Sequence, residues 1–155
     1  MTTKAVLCFI VQENRVLLAK KKRGFGVGWW NGAGGKVKGE EGETLLEAVL
    51  RETKEEIDIV PHDPVQLGTL YFFFEDGTSD WEVAVFHAHS FDREPTESEE
   101  MQPKWFLFEE IPYEKMWADD PHWIPLLLAG KKFEGKFTFK DNDTLINHEV
   151  QEIKD

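Results

Sequence analysis

Between Gly34 and Ile59 the chain carries Arg51-Glu52-Thr53-Lys54-Glu55-Glu56, which sets Glu52, Glu55 and Glu56 at positions i, i+3 and i+4. At about 100° per residue these three carboxylates share one face of a helix. Like charges so placed repel by roughly 0.2–0.5 kcal/mol per pair. A hard divalent cation such as Mg²⁺, which takes oxygen ligands, relieves that repulsion. The chemistry open to such a face is metal-assisted hydrolysis of a phosphate chain. A solvated acidic helix face is the plainer reading of three glutamates alone. The run Gly24–Gly35 just ahead of them, with six of the twelve glycines, shifts the balance, because glycine lets backbone approach a ligand closely.

The helix that must present this face is predicted over Thr44–Ile57. Leu46, Val49, Leu50, Thr53 and Ile57 supply its apolar stripe, Glu43 and Thr44 start it, and Asp58 with Pro61 ends it. Ala5–Val11 and Arg15–Lys20 read as a hairpin, and Gly24–Gly35 as a loop. Val65–Glu75 and Glu82–Phe91 are strand-like around Asp76-Gly77. Asp92–Gln102 reads as a loop, Lys104–Phe108 as a short strand and Pro121–Leu128 as a second helix. Phe133–Phe139 and Thr144–Ile153 form a last hairpin around Asp141-Asn142-Asp143. These elements predict an α+β fold, a mixed β-sheet with a helix on each side in an α/β/α sandwich, as one domain over residues 1–155.

Composition narrows the partners. With 41% hydrophobic and 31% charged residues the chain reads as a soluble globular protein. A net charge of −12 excludes nucleic-acid polymers and anionic membrane surfaces, which need a basic stripe. A free nucleotide stays open, because a metal brings its own positive charge. The single cysteine, Cys8, lies in an apolar run and reads as a core residue. The apolar run Ala5–Val11 is too short to span a bilayer and lacks a signal peptide's pattern, so a cytoplasmic protein is the default.

The glutamate segment resembles the Nudix box, G-x5-E-x7-R-E-U-x-E-E-x-G-U with U aliphatic. Glu43, Arg51, Glu52, Glu55, Glu56 and Ile59 match its spacing. The chain departs in three places: seven residues separate Gly35 from Glu43, Thr53 stands at an aliphatic position, and Asp58 replaces the closing glycine. Further matches are Lys22–Gly26, Trp30–Val37, Glu99-Glu100-Met101, Met116–Asp120, Trp123 and Pro125–Leu128. Together they resemble the MutT-homologue enzymes that hydrolyse oxidised purine nucleoside triphosphates, the 8-oxo-dGTP diphosphatases.

That resemblance implies a Nudix fold and a monomer that clears 8-oxo-dGTP and 2-hydroxy-dATP from the nucleotide pool with Mg²⁺, or Mn²⁺ as a substitute. It adds the Gly34 carbonyl and Glu100 to Glu52, Glu55 and Glu56 as metal ligands. Glu56 is the favoured catalytic base, with Glu52 and Glu100 as rivals, and Arg51 is assigned to pairing with a carboxylate. The resemblance lines a base pocket with Phe72, Phe74, Trp81, Trp117 and Trp123, puts Phe25 at its wall, and gives Lys21 a substrate contact. Asn31 offers an amide to a base edge. Asp119 and Asp120 read in two ways: one of them an N-cap before Pro121, or a buried pair sharing a proton, able to donate or accept toward a base. His87 and His89 share a strand face without an evident third ligand, and Glu97 and Glu99 read as solvated. Other nucleoside diphosphate derivatives, such as ADP-ribose or a dinucleoside polyphosphate, are the alternative substrates; a non-catalytic binding domain is disfavoured by the intact glutamate trio.

Overall fold

The structure, a computed structural model, describes residues 2–154 apart from 25, 78, 79, 142 and 143. Strands β1 (Thr2–Gln12) and β2 (Arg15–Lys21) form a hairpin that turns at Glu13, whose φ is 52°. There follow β3 (Trp30–Asn31), β4 (Ala33–Lys36), helix α1 (Leu45–Ile57), β5 (Val65–Phe74), β6 (Asp80–Ala88), β7 (Met101–Leu107), helix α2 (Asp120–Leu128), β8 (Phe133–Phe139) and β9 (Leu145–Glu152). The sheet runs β3-β2-β1-β6-β5-β8-β9, with β4 against β1 and β7 against β2. The β1–β6 and β5–β8 pairs are parallel and the others antiparallel, so the sheet is mixed as expected.

Alternation along β1 builds two cores. Ala5, Phe9 and Val11 pack with Trp123, Ile124 and Leu127 of α2, while Val6, Cys8 and Ile10 pack with Ala48, Val49 and Ile57 of α1. One helix on each face follows, the predicted α/β/α sandwich. Among the described residues no helix is long and apolar enough to cross a membrane.

Two expectations change. Gly24–Gly35 is not all loop, because Ala33, Gly34, Gly35 and Lys36 pair with Cys8, Leu7, Val6 and Ala5. Glycine is a poor strand former, so pattern alone hides this strand. The close approach explains its composition: a Cβ on Gly34 would overlap the Val6 carbonyl. β7 also starts before Lys104, at Met101, and runs through Pro103. Its one strand partner among the described residues is β2, an edge position where proline's missing N–H is tolerated.

β1 is forked. Its Ala5–Cys8 stretch pairs with β4, whereas Ile10–Gln12 pairs with β2. Phe9 sits at the branch, and a Cβ on Gly32 would come within 2.8 Å of its ring.

Helix α1 begins one residue later than predicted, because Thr44 caps it. The Thr44 hydroxyl accepts from the Glu47 N–H at 3.1 Å and Glu47 accepts from the Thr44 N–H at 2.9 Å. Such a capping box stabilises by about 1 kcal/mol. The buried stripe is Ala48, Val49, Thr53 and Ile57; Leu46, expected in it, is 47% exposed. Thr53 at the aliphatic position satisfies its hydroxyl by donating to the Val49 carbonyl at 2.6 Å. Asp58 closes the helix in the left-handed region, φ 58° and ψ 40°, as its tolerance for that conformation suggested. Replacing it with glycine removes the Cβ penalty and loses an exposed pair with Lys54 at 2.9 Å. Asp58→Gly is therefore expected to stabilise by about 0.5–1 kcal/mol, read from the denaturant midpoint; a lower midpoint would contradict this.

Candidate functional site

A cavity of about 490 Å³ opens at the fork. Lys21, Gly34, Gly35 and Glu56 line its acidic end, and Asn31, Trp117, Asp119 and Asp120 its other end. Glu56 of the helix face and the aspartates, far apart in sequence, thus meet in one space, whereas Glu52, Glu55 and Glu100 are absent from its lining.

At the acidic end Glu56 is half-buried and accepts the Gly34 N–H at 2.7 Å. Burial pushes its carboxyl up to about 7, against the Gly34 hydrogen bond; the charges of Glu52 and Glu100 push the same way as burial, and Lys21 opposes them. Glu52 accepts from Arg51 at 2.6 Å and lies over Gly35, leaving no room there for a Cβ. Glu55 is exposed and reaches Arg51 at 3.3 Å. Arg51 also donates to both Glu43 oxygens, at 2.6 and 2.8 Å, and to the Lys36 carbonyl at 3.1 Å. It pairs with carboxylates and ties the helix to β4, as expected. The Arg51 guanidinium, and after it the Lys38 N–H, hold Glu43 down at about 2.

Glu100 accepts from Arg23 at 2.8 and 2.5 Å, which lowers its pKa. Glu97 pairs with Lys22 at 2.5 Å and Glu99 with Arg23 at 3.4 Å, and both stay exposed to solvent, as expected. Among the described residues no three His, Cys, Asp or Glu side chains converge as a formed metal centre. The reason is visible at each carboxylate: Glu52 and Glu55 lean on Arg51, Glu56 on an amide and Glu100 on Arg23. The donor set still suits a hard cation. Its oxygens surround Glu56, a half-buried carboxyl raised further by two neighbouring negative charges.

At the other end Asp119 and Asp120 are 3% and 2% exposed. Asp119 occupies the cap position of α2 but makes no capping hydrogen bond, because the N2 donor is missing at Pro121. Its carboxylate instead accepts from the Trp123 indole N–H at 2.8 Å. Burial raises both carboxyls. The Trp123 hydrogen bond restrains Asp119, whereas the charge and hydrogen bonding of Asp119 raise Asp120 further. A proton shared by the pair is therefore favoured on Asp120. Oδ2 of Asp120 is buried with no partner in the protein. An orphaned polar atom beside a cavity marks where a ligand's polar edge belongs.

The aromatic residues divide. Phe72 stacks on Phe137 at 5.6 Å and Phe74 on Phe139 at 5.8 Å, so each lines the cavity from within a packed ladder. Trp81 also lines it, with Lys36 Nζ 5.6 Å from its ring. Trp123 lines the cavity too: it is fully buried between Phe9 and Phe133, each 5.7 Å away, and its indole N–H holds Asp119. Trp117 stacks on Trp29 at 6.0 Å and 18°. Phe25 lies outside the described residues. Trp29 and Met101 line the cavity without having been singled out as site residues; Trp29 has no periodicity to betray it, and its signal was an aromatic doublet inside a glycine-rich run. His87 and His89 are absent from the cavity lining; their rings lie 4.8 Å apart and His89 Nδ1 is bound to the Val11 carbonyl at 2.9 Å.

Comparison with known proteins agrees with this geometry. The Nudix domain family matches residues 1–127. A zebrafish protein named oxidized purine nucleoside triphosphate hydrolase is 44% identical over 149 residues, 96% of this chain and 94% of the relative. A mouse protein of the same name is 44% identical over 147 residues, 95% and 93% of the two chains. The crystal structure of a mutator MutT protein from Bacillus halodurans superposes with a TM-score of 0.84 at 28% identity, covering 96% of this chain and 97% of that one. On the family match and on relatives aligned over nearly their full length, the chain belongs to the Nudix family of hydrolases.

Proposed function

We propose that this protein is a monomeric, cytoplasmic, Mg²⁺-dependent enzyme that hydrolyses oxidised purine nucleoside triphosphates, 8-oxo-dGTP and 2-hydroxy-dATP, to monophosphate and pyrophosphate. Its role would be to clear the nucleotide pool of damaged precursors. One observation carries the reading: a single cavity joins Glu56 of the acidic helix face to a buried aspartate pair with an orphaned oxygen. The names of the zebrafish and mouse relatives support the same substrate class.

Nudix hydrolases generally use divalent metal ions. Glu52, Glu55, Glu56 and Glu100, with the Gly34 carbonyl, would hold Mg²⁺, with Mn²⁺ as a substitute. The ion, when bound, neutralises phosphate charge and acidifies water. The side chains do the rest. Glu56 takes the proton of the attacking water; Glu52 and Glu100 are the rivals for that role. The water oxygen bonds to phosphorus, and the P–O bond to pyrophosphate breaks with the electron pair leaving on oxygen. Lys21 meets the substrate's negative charge. Asn31, Asp119 and Asp120 face the base edge, while Phe72, Phe74, Trp81, Trp117 and Trp123 give it apolar contact.

The test is an initial-rate panel with Mg²⁺ over dGTP, 8-oxo-dGTP, 2-hydroxy-dATP and ADP-ribose. Oxidised purines are expected to lead and chelation to abolish turnover; a strong ADP-ribose preference would overturn the substrate. The proton between the aspartates adds a second expectation. Asp119→Asn and Asp120→Asn should shift the 8-oxo-dGTP to 2-hydroxy-dATP ratio unequally, by about tenfold or more for one of them. Equal, small losses on both substrates would remove the proton-sharing account.

A further inference from the structure

We infer that Trp29 is a positioning residue that sets base selectivity by fixing the plane of Trp117 at the rim of the cavity. The inference rests on the nucleotide reading above. Both indoles are half-buried, both line the cavity, and they stack at 6.0 Å and 18°. Trp117 lies between the short turn Tyr113–Lys115 and α2. The stack with Trp29 is one of the contacts on that half-exposed ring.

Trp29 is itself held. Its N–H donates to the Gly26 carbonyl at 3.0 Å, and its carbonyl accepts from the Lys21 N–H at 3.0 Å. The Gly28 N–H donates to the Lys21 carbonyl at 2.8 Å. Gly26 and Gly28 both have φ of 85°, a conformation that glycine adopts without penalty. A Cβ on Gly26 would touch the Trp117 ring at 3.5 Å, so this turn follows the contour of that indole. The same hydrogen bonds reach Lys21, which lines the acidic end. Trp29 thus ties the stacking wall to the end where the phosphates belong.

A wall set in advance spares the ligand the cost of ordering it. A purine overlaps an indole more fully than a pyrimidine does, so a fixed plane favours purines. Losing the Trp29 contact should therefore weaken binding and leave chemistry alone.

The experiment compares wild type with Trp29→Ala, Trp29→Leu and Trp29→Phe. It measures KM and kcat for 8-oxo-dGTP and dCTP, Kd for 8-oxo-dGMP, and the far-ultraviolet circular-dichroism couplet of the indole pair. Trp29→Ala should raise KM for 8-oxo-dGTP by roughly 2- to 12-fold with kcat within about twofold. The couplet should vanish, and preference over dCTP should narrow. Trp29→Leu keeps the apolar bulk and should behave like alanine, so it decides the matter if the alanine variant fails to fold. Trp29→Phe should recover most of the wild-type KM. An unchanged KM in a folded variant that has lost the couplet overturns the inference, as does a fall in kcat at constant KM. Absent turnover of 8-oxo-dGTP by wild type would instead sink the functional reading. The role of Trp29 would then be judged from Kd for 8-oxo-dGMP, and no weakening in Trp29→Leu overturns it.

Discussion

Glu56→Gln is expected to lower turnover of 8-oxo-dGTP by about 100- to 10,000-fold, the range for loss of a general base, while the fold survives. Glutamine keeps a carbonyl oxygen where Glu56 accepts the Gly34 N–H at 2.7 Å, so the tie between α1 and β4 remains. The variant also removes a carboxyl whose ionisation is opposed first by burial and then by the neighbouring Glu52 and Glu100. Thermal unfolding of the chelated protein should therefore be no lower than wild type. Initial rates of pyrophosphate release and a melting curve check the two halves separately. Turnover within about threefold of wild type would remove Glu56 as the base. Full turnover after neutralising Glu52 as well would remove the acidic face from the mechanism.

The second large effect is expected at Asp120→Asn, and it runs the other way for stability. Burial, then the charge and hydrogen bonding of Asp119, raise the Asp120 carboxyl well above its usual range. The folded protein therefore keeps a proton that the unfolded chain releases near pH 4. Stability must fall as pH rises from about 4 toward the raised value, since the unfolded state loses its proton first. Asparagine has no proton to lose, so the Asp120 share of that slope should disappear, leaving the shares of Asp119 and Glu56, whose carboxyls burial also raises. At neutral pH the variant should be the more stable, because asparagine spares the folded state the uptake of that proton. At acid pH, where Asp120 is neutral in both states, the gain should vanish. Melting curves across the acid-to-neutral range test this, and a variant less stable at neutral pH with the slope intact would contradict it. The same change should cost activity on at least one oxidised purine, so this end of the cavity trades stability for recognition.

Helix α1 and its carboxylates were legible because a helix repeats its faces every few residues, and Glu52, Glu55 and Glu56 obey that spacing. The hairpin, β5, β6, β8 and β9 were legible through β-branched and aromatic runs between turn residues. Strand β4 was not, since Ala33-Gly34-Gly35-Lys36 has no strand signature; its identity comes from pairing with β1, a partner about 28 residues away. The stripe of α1 was off at Leu46 because Leu45 and Ala48 supply the first turn's contact with the core and leave Leu46 facing out. At the site, residue types suggested which side chains converge, but not their present partners. That Arg23 holds Glu100, and Arg51 holds Glu52, follows from which cations lie nearest in space. Trp123 carried a pattern common to pocket and core residues, and it is both: fully buried between Phe9 and Phe133, it also lines the cavity.

The clamp of residues 33–36 on β1 has a practical corollary for anyone wishing to splice a reporter or tether into this chain. One extra residue inside that clamp would turn each following side chain to the opposite face and carry Gly34 away from Glu56. The corner Gly39–Glu41 is different. Gly39 and Gly42 have open space where a Cβ would stand, and the corner's two ends are already fastened together, the Glu43 N–H to the Lys38 carbonyl at 3.2 Å and the Lys38 N–H to the Glu43 carboxylate at 2.8 Å. A graft between those anchors inherits closed ends, so its length costs little. The tolerant splice point thus sits only a few residues from the least tolerant stretch of the sheet.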